Sequence, residues 1–208
     1  MCLSPRSGDE VRIFSYVEQL DGLPEKAAES AREFVLVGWS MGGSSALRLA
    51  MKYPEKVRAL VLVAATPRML EDKENGWRGM SLKRLDALKR GLELTRGEGF
   101  FGIEPGKINP YLMDSEENLR RGLKYLVETD LRKALEDSKD VFSKYNFPVA
   151  IFQSENDGIV RSSNAHYLAG IFAGAKLTIV KGSEHALSII IPEMIDSFLE
   201  DAVGREVL

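Results

Sequence analysis

Cysteine and histidine are scarce: Cys2 is the only thiol, and His166 and His185 are the only imidazoles among 208 residues. A single cysteine excludes an internal disulfide, and so few soft ligands exclude a sulfur-rich zinc site. Neither a metal nor a cofactor is expected. Long apolar runs are lacking too. Residues 1–20 carry Arg6, Asp9, Glu10, Arg12 and Glu18, and no stretch of the chain approaches the roughly 20 apolar residues of a membrane span. These absences predict a cytoplasmic protein that is neither secreted nor inserted into a membrane. There is no excess of positive charge either: 28 basic and 31 acidic side chains leave a net charge of −3, which argues against broad attraction to nucleic acid.

What the chain does have is core. Apolar residues make up 44% of it, enough for one domain with an insertion. Short runs rich in Val, Leu, Ile and Phe recur at 34–37, 57–64, 149–153 and 177–180, and read as buried parallel strands. Helical periodicity fills 44–53, between the first two, then 162–172, between the last two, and finally 192–203. This alternation specifies an α/β fold with a parallel sheet. The interval 68–146 holds no strand pattern but three helical ones, at 82–94, 116–128 and 131–142. It reads as a helical cap inserted into a core made of residues 1–67 and 147–208. A loop rich in glycine and proline at 97–110 reads as a hinge.

The chemistry concentrates at strand ends. Gly38-Trp39-Ser40-Met41-Gly42 leads from the first strand into a helix, matching the G-x-S-x-G elbow in which flanking glycines make room for a sharp turn. There Ser40 becomes a nucleophile, and the Met41 backbone N–H, at the positive end of the helix, becomes an oxyanion donor. A serine that merely caps the helix is the plainer alternative. A serine nucleophile needs an imidazole base, and the base needs a carboxylate to orient it. His185 follows the fourth strand in a loop and is the expected base, whereas His166 falls within a helical stretch. Asp157, before Gly158 in the turn after the third strand, is the expected acid, with Glu155 its rival. The order Ser40, Asp157, His185 is that of α/β-hydrolases.

Several segments resemble that superfamily over residues 4–203: Gly38 to Gly43, residues 53–63, Asp157-Gly158-Ile159-Val160, and His185 followed by Pro192-Glu193. Within it, Trp39 before the serine, Gly76-Trp77, and residues 126–132 are similar to the pimeloyl-acyl-carrier-protein methyl ester carboxylesterases of biotin synthesis. This resemblance implies a serine carboxylesterase that cleaves a methyl ester from a dicarboxylic acyl chain on an acyl carrier protein, with Trp39 in the substrate-binding region. It also implies a basic docking face for the acidic carrier. Residues 77–96 hold Arg78, Lys83, Arg84, Lys89, Arg90 and Arg96 against Asp86 and Glu93, with Lys83, Arg84 and Arg90 opposite a Leu82, Leu85, Leu88, Leu92 stripe. A solvated helix face accounts for the same charges. A thioesterase, a lactonase, a carbon–carbon hydrolase and a non-catalytic remnant of the fold remain alternatives, since the triad does not encode the acyl group.

The family places several strands before the elbow, one followed by a loop that supplies a second oxyanion donor, but only 39 residues precede Ser40 here. Leu3-Ser4-Pro5-Arg6 and residues 14–20 resemble the loop and helix that lead directly to the elbow. The chain is therefore expected to begin part way through the fold. That leaves strand 34–37 as an open edge suited to a homodimer, and one oxyanion donor of two, a loss of about 3 kcal/mol or roughly 10² to 10³ in rate.

Overall fold

The computed structural model describes residues 12, 14, 16–95, 116–182, 185, 187 and 191–204. The expected loop at 3–6, the hinge at 97–110 and Arg96 lie outside them. Four parallel strands, β1 (Phe34–Trp39), β2 (Val57–Val63), β3 (Val149–Ser154) and β4 (Lys176–Val180), pair in chain order, with β1 and β4 outermost among the described residues.

Alternation along β2 and β3 builds two cores from one sheet. Leu60, Leu62, Val149 and Ile151 face one way, against Leu47 and Ala50 of α3 (Met41–Lys52) and Leu168 and Ile171 of α8 (Ser162–Ile171). Ala59, Val61, Val63, Ala150 and Phe152 face the other, against Ile195, Phe198 and Leu199 of α9 (Pro192–Val203). A strand buried on both faces has no polar alternation, which is why these runs read as continuous apolar stretches. Two short helices, α1 (Tyr16–Leu20) and α2 (Leu23–Ser30), precede the sheet.

Between β2 and β3 lie α4 (Leu82–Thr95), α5 (Glu116–Glu128), α6 (Arg132–Asp137) and α7 (Lys139–Tyr145). The single helix expected over 131–142 is two. The Ser138 hydroxyl bonds back to the Ala134 carbonyl at 2.7 Å, and the chain restarts its helix at Lys139. Leu131, Leu135 and Phe142 join the sheet's own cluster, so packing does not change at residue 147, where the sequence pattern drew the end of the cap. Leu85 and Leu88 of α4 and Leu123 and Leu126 of α5 form a separate cluster with Ile159 and Val160, residues of the loop after β3. Leu82, assigned to the same buried stripe, is instead exposed, while Lys83, Arg84 and Arg90 are exposed as expected.

The base of this helical region is held by ions. Arg132 donates from Nε to Asp130 Oδ1 (3.0 Å) and from Nη2 to Asp130 Oδ2 (2.9 Å) and Asp72 Oδ2 (2.7 Å), and its guanidinium lies 5.4 Å from the Trp77 ring centre. Arg68 bonds Asp130 from the other side, and Trp77 Nε1–H donates to the Arg68 carbonyl at 3.1 Å. Hydrogen bonds from Arg132, ahead of one from Arg68, bring the Asp130 carboxyl down to about 2. Residues 76–77 and 126–132, two segments of the subfamily resemblance, thus meet in one structural clasp.

Candidate active site

Ser40, Asp157 and His185 come from three segments that follow β1, β3 and β4, at the C-terminal edge of a parallel sheet, where such sheets build their sites. The elbow is sharp. Ser40 has φ 53° and ψ −118°, outside the comfortable regions for an L residue, and its N–H donates to the Val63 carbonyl at 2.9 Å. Two glycines make the turn possible. A Cβ on Gly38 would stand 2.6 Å from the Gly42 carbonyl oxygen, and one on Gly43 would stand 2.3 Å from the Ala65 Cβ. Gly42, the second glycine of the motif, is under no such pressure, since its Cβ would meet only the Gln19 side chain at 3.6 Å. Met41 opens α3, so its N–H is one of the donors that a helix cannot satisfy internally.

Ser40 Oγ lies 2.8 Å from His185 Nε2, and His185 Nδ1 lies 2.9 Å from Asp157 Oδ2. His185 is only 2% exposed, and the Asp157 side chain is fully buried. Burial by itself would raise the Asp157 carboxyl, but the hydrogen bond and charge of His185 and the amides of Val160 and Ile159 outweigh it, leaving the group below its ordinary value. An ionised Asp157 requires Nδ1 to carry the proton, which makes Nε2 the acceptor for the Ser40 hydroxyl. Chemically, the arrangement can take a proton from Ser40 while charge develops near the α3 N-terminus.

The Asp157 carboxylate is braced on both oxygens. Oδ1 accepts N–H bonds from Ile159 (2.7 Å) and Val160 (2.9 Å), while Oδ2 accepts from Gln153 Nε2 at 3.0 Å as well as facing His185. Glu155, the rival carboxylate, is exposed, and so is His166 on α8. Trp39, expected at the substrate, also has a bracing contact: its Nε1–H donates to the His185 carbonyl at 3.0 Å, with the two ring centres 5.7 Å apart. Gln153 was not singled out from sequence. A glutamine at a strand end carries no motif, and its contact with Asp157 exists only because the loop folds back.

Among the described residues, no cluster of three or more His, Cys, Asp or Glu side chains could hold a metal ion, and no helix is long and apolar enough to cross a membrane.

Residues 1–190 match the family described as alpha/beta hydrolase fold. Among curated proteins, the chain is 28% identical over 177 residues to a pimeloyl-[acyl-carrier protein] methyl ester esterase of Aliivibrio fischeri (strain MJ11), covering 76% of this chain and 65% of that protein. It is 27% identical over 199 residues to the protein of the same name from Nitrosomonas europaea, covering 87% and 76%. The chain thus spans about two thirds of the length of the first of these relatives. Among solved structures, an esterase from Exiguobacterium antarcticum superposes with a TM-score of 0.70 at 23% identity, covering 91% of this chain and 74% of that one. A bromoperoxidase from Bacillus anthracis gives 0.67 at 22%, covering 90% and 75%. At such identities the structural likeness bears on the fold alone. With most of its length matched by the family and the fold shared, the chain belongs to the alpha/beta hydrolase family.

Proposed function

We propose that this protein is a serine carboxylesterase in which Ser40 is the nucleophile, His185 the general base and acid, and Asp157 the carboxylate that orients the imidazole. The observation that carries this reading is the continuous Ser40–His185–Asp157 hydrogen-bond chain, at 2.8 and 2.9 Å. As Ser40 Oγ attacks the ester carbonyl carbon, its proton passes to His185 Nε2, and the imidazolium is stabilised by Asp157. The carbonyl oxygen, now negative, is stabilised by the Met41 N–H. Collapse expels the alcohol, which takes the proton from His185 and leaves an acyl group on Ser40. Water, deprotonated by His185, then releases the acid and restores the serine.

The finer reading is a pimeloyl-acyl-carrier-protein methyl ester as substrate, in the cytoplasm, with Trp39 near the acyl group. Its support is the name shared by the two relatives and the exposed Lys83, Arg84 and Arg90 of α4, a face suited to an acidic carrier. The test is hydrolysis of p-nitrophenyl esters over a series of chain lengths, beside methyl esters of dicarboxylic acyl groups on acyl carrier protein. Turnover by the native protein that disappears in Ser40→Ala supports the esterase. Preference for the carrier-bound methyl ester, weakened by charge reversal at Lys83 and Arg84, supports the finer reading. Equal turnover by Ser40→Ala overturns the mechanism.

A further inference from the structure

We propose that Gln153 is a positioning residue of the relay: its side-chain amide holds Asp157 Oδ2 in place and shares that oxygen with His185, setting how strongly the carboxylate draws the imidazole. The role rests on the serine esterase reading above and deepens it.

Gln153 is the penultimate residue of β3 and is fully buried. Its Nε2 donates to Asp157 Oδ2 (3.0 Å) and to the Val160 carbonyl (3.1 Å), with the Ser154 carbonyl farther off at 3.4 Å. All three partners are acceptors, so the amide has one sensible orientation: turning it over would set Oε1 against a carboxylate and a carbonyl. The cost of this orientation is visible, since Oε1 is buried without a hydrogen-bond donor among the described residues. A buried acceptor left unmatched is uncommon and calls for a reason. Here both N–H groups are spent on the acid and on the loop that carries it. Asp157 is thereby held at four points, Ile159, Val160, Gln153 and His185, and cannot rotate away from the imidazole.

The electrostatic consequence follows from sharing. A carboxylate oxygen that already accepts one N–H is a weaker acceptor for a second, so Gln153 tempers the pull of Oδ2 on the His185 ring. Other groups near this pair are the Ser40 hydroxyl on Nε2, the exposed Glu155 in the same loop, and Arg84 of α4, whose Nη2 lies 3.3 Å from where a Cβ on Gly158 would stand. None of these donates to Oδ2 among the described hydrogen bonds.

The test is the pH dependence of the rate at which a fluorophosphonate probe labels Ser40, in the wild type and in Gln153→Met, which keeps the volume and removes both donors. The acid limb of the labelling profile is expected to move up by about 0.5 to 1 pH unit, with the plateau rate reduced several-fold. A superimposable profile, with only the melting temperature changed, would reduce Gln153 to a structural residue and overturn the proposal. Wild-type protein that is not labelled at Ser40 would remove the relay itself, and with it any role for Gln153. Should Gln153→Met not fold, Gln153→Glu gives the same decision. Its neutral acid form can donate to Oδ2 but its ionised form cannot, so an alkaline fall in labelling, absent from the wild type, is expected. Its absence overturns the proposal.

Discussion

Ser40 Oγ and His185 Nε2 are 2.8 Å apart across 145 positions of sequence, Ser40 immediately after β1 and His185 in the loop after β4 of the same parallel sheet. The sheet sets that separation, and Asp157 sets the direction of the imidazole. Both can be altered one at a time.

Asp157→Asn changes the tautomer. The Ile159 and Val160 amides require an acceptor at the Oδ1 position, so the new NH₂ must occupy the place of Oδ2 and meet the His185 Nδ1–H donor against donor. The imidazole then carries its proton on Nε2 and cannot accept from Ser40. Fluorophosphonate labelling should fall by roughly 10³-fold or more, while circular dichroism stays native.

Gly43→Ala and Gly42→Ala should differ. The first sets a Cβ 2.3 Å from that of the buried Ala65 and should lose about 1–3 kcal/mol of stability. The second meets only the Gln19 side chain, at an ordinary contact distance of 3.6 Å, and should melt close to the wild type. Thermal unfolding of both variants reads the contrast. Equal destabilisation would contradict the assignment of the steric demand to Gly43.

The Arg68–Asp130–Arg132 clasp predicts an acid transition. The Asp130 carboxyl lies at about 2 in the fold against an ordinary 3.8, so its stabilising contribution is complete above about pH 4 and is lost as pH falls toward 2. Arg132→Met removes the largest cause of that shift. It should cost about 1–2 kcal/mol at neutral pH, with solvent screening allowed for, and flatten the acid dependence. Urea unfolding at a series of acidic pH values would measure both.

Much of this was legible in sequence for identifiable reasons. β2 and β3 are buried on both faces, so their residues form unbroken apolar runs. Ser40 comes immediately after β1, Asp157 lies in the loop after β3 and His185 in the loop after β4, and only His185 of the two histidines lies in a loop. What escaped depended on contacts that no local pattern encodes. The break at Ser138 rests on one hydroxyl turning to Ala134, against a periodicity that runs on to Phe142. Ala64 adopts φ 47° although nothing marks it as a glycine-like position. Gln153 meets Asp157, and Trp77 meets Arg132, only after the chain has folded.

The most direct measurement is fluorophosphonate labelling followed by peptide mapping in the native protein and in Ser40→Ala. The relay predicts a single adduct on Ser40 in the first and none in the second. Equal labelling of the two, or an adduct on another residue, would contradict the assignment of Ser40 as the nucleophile.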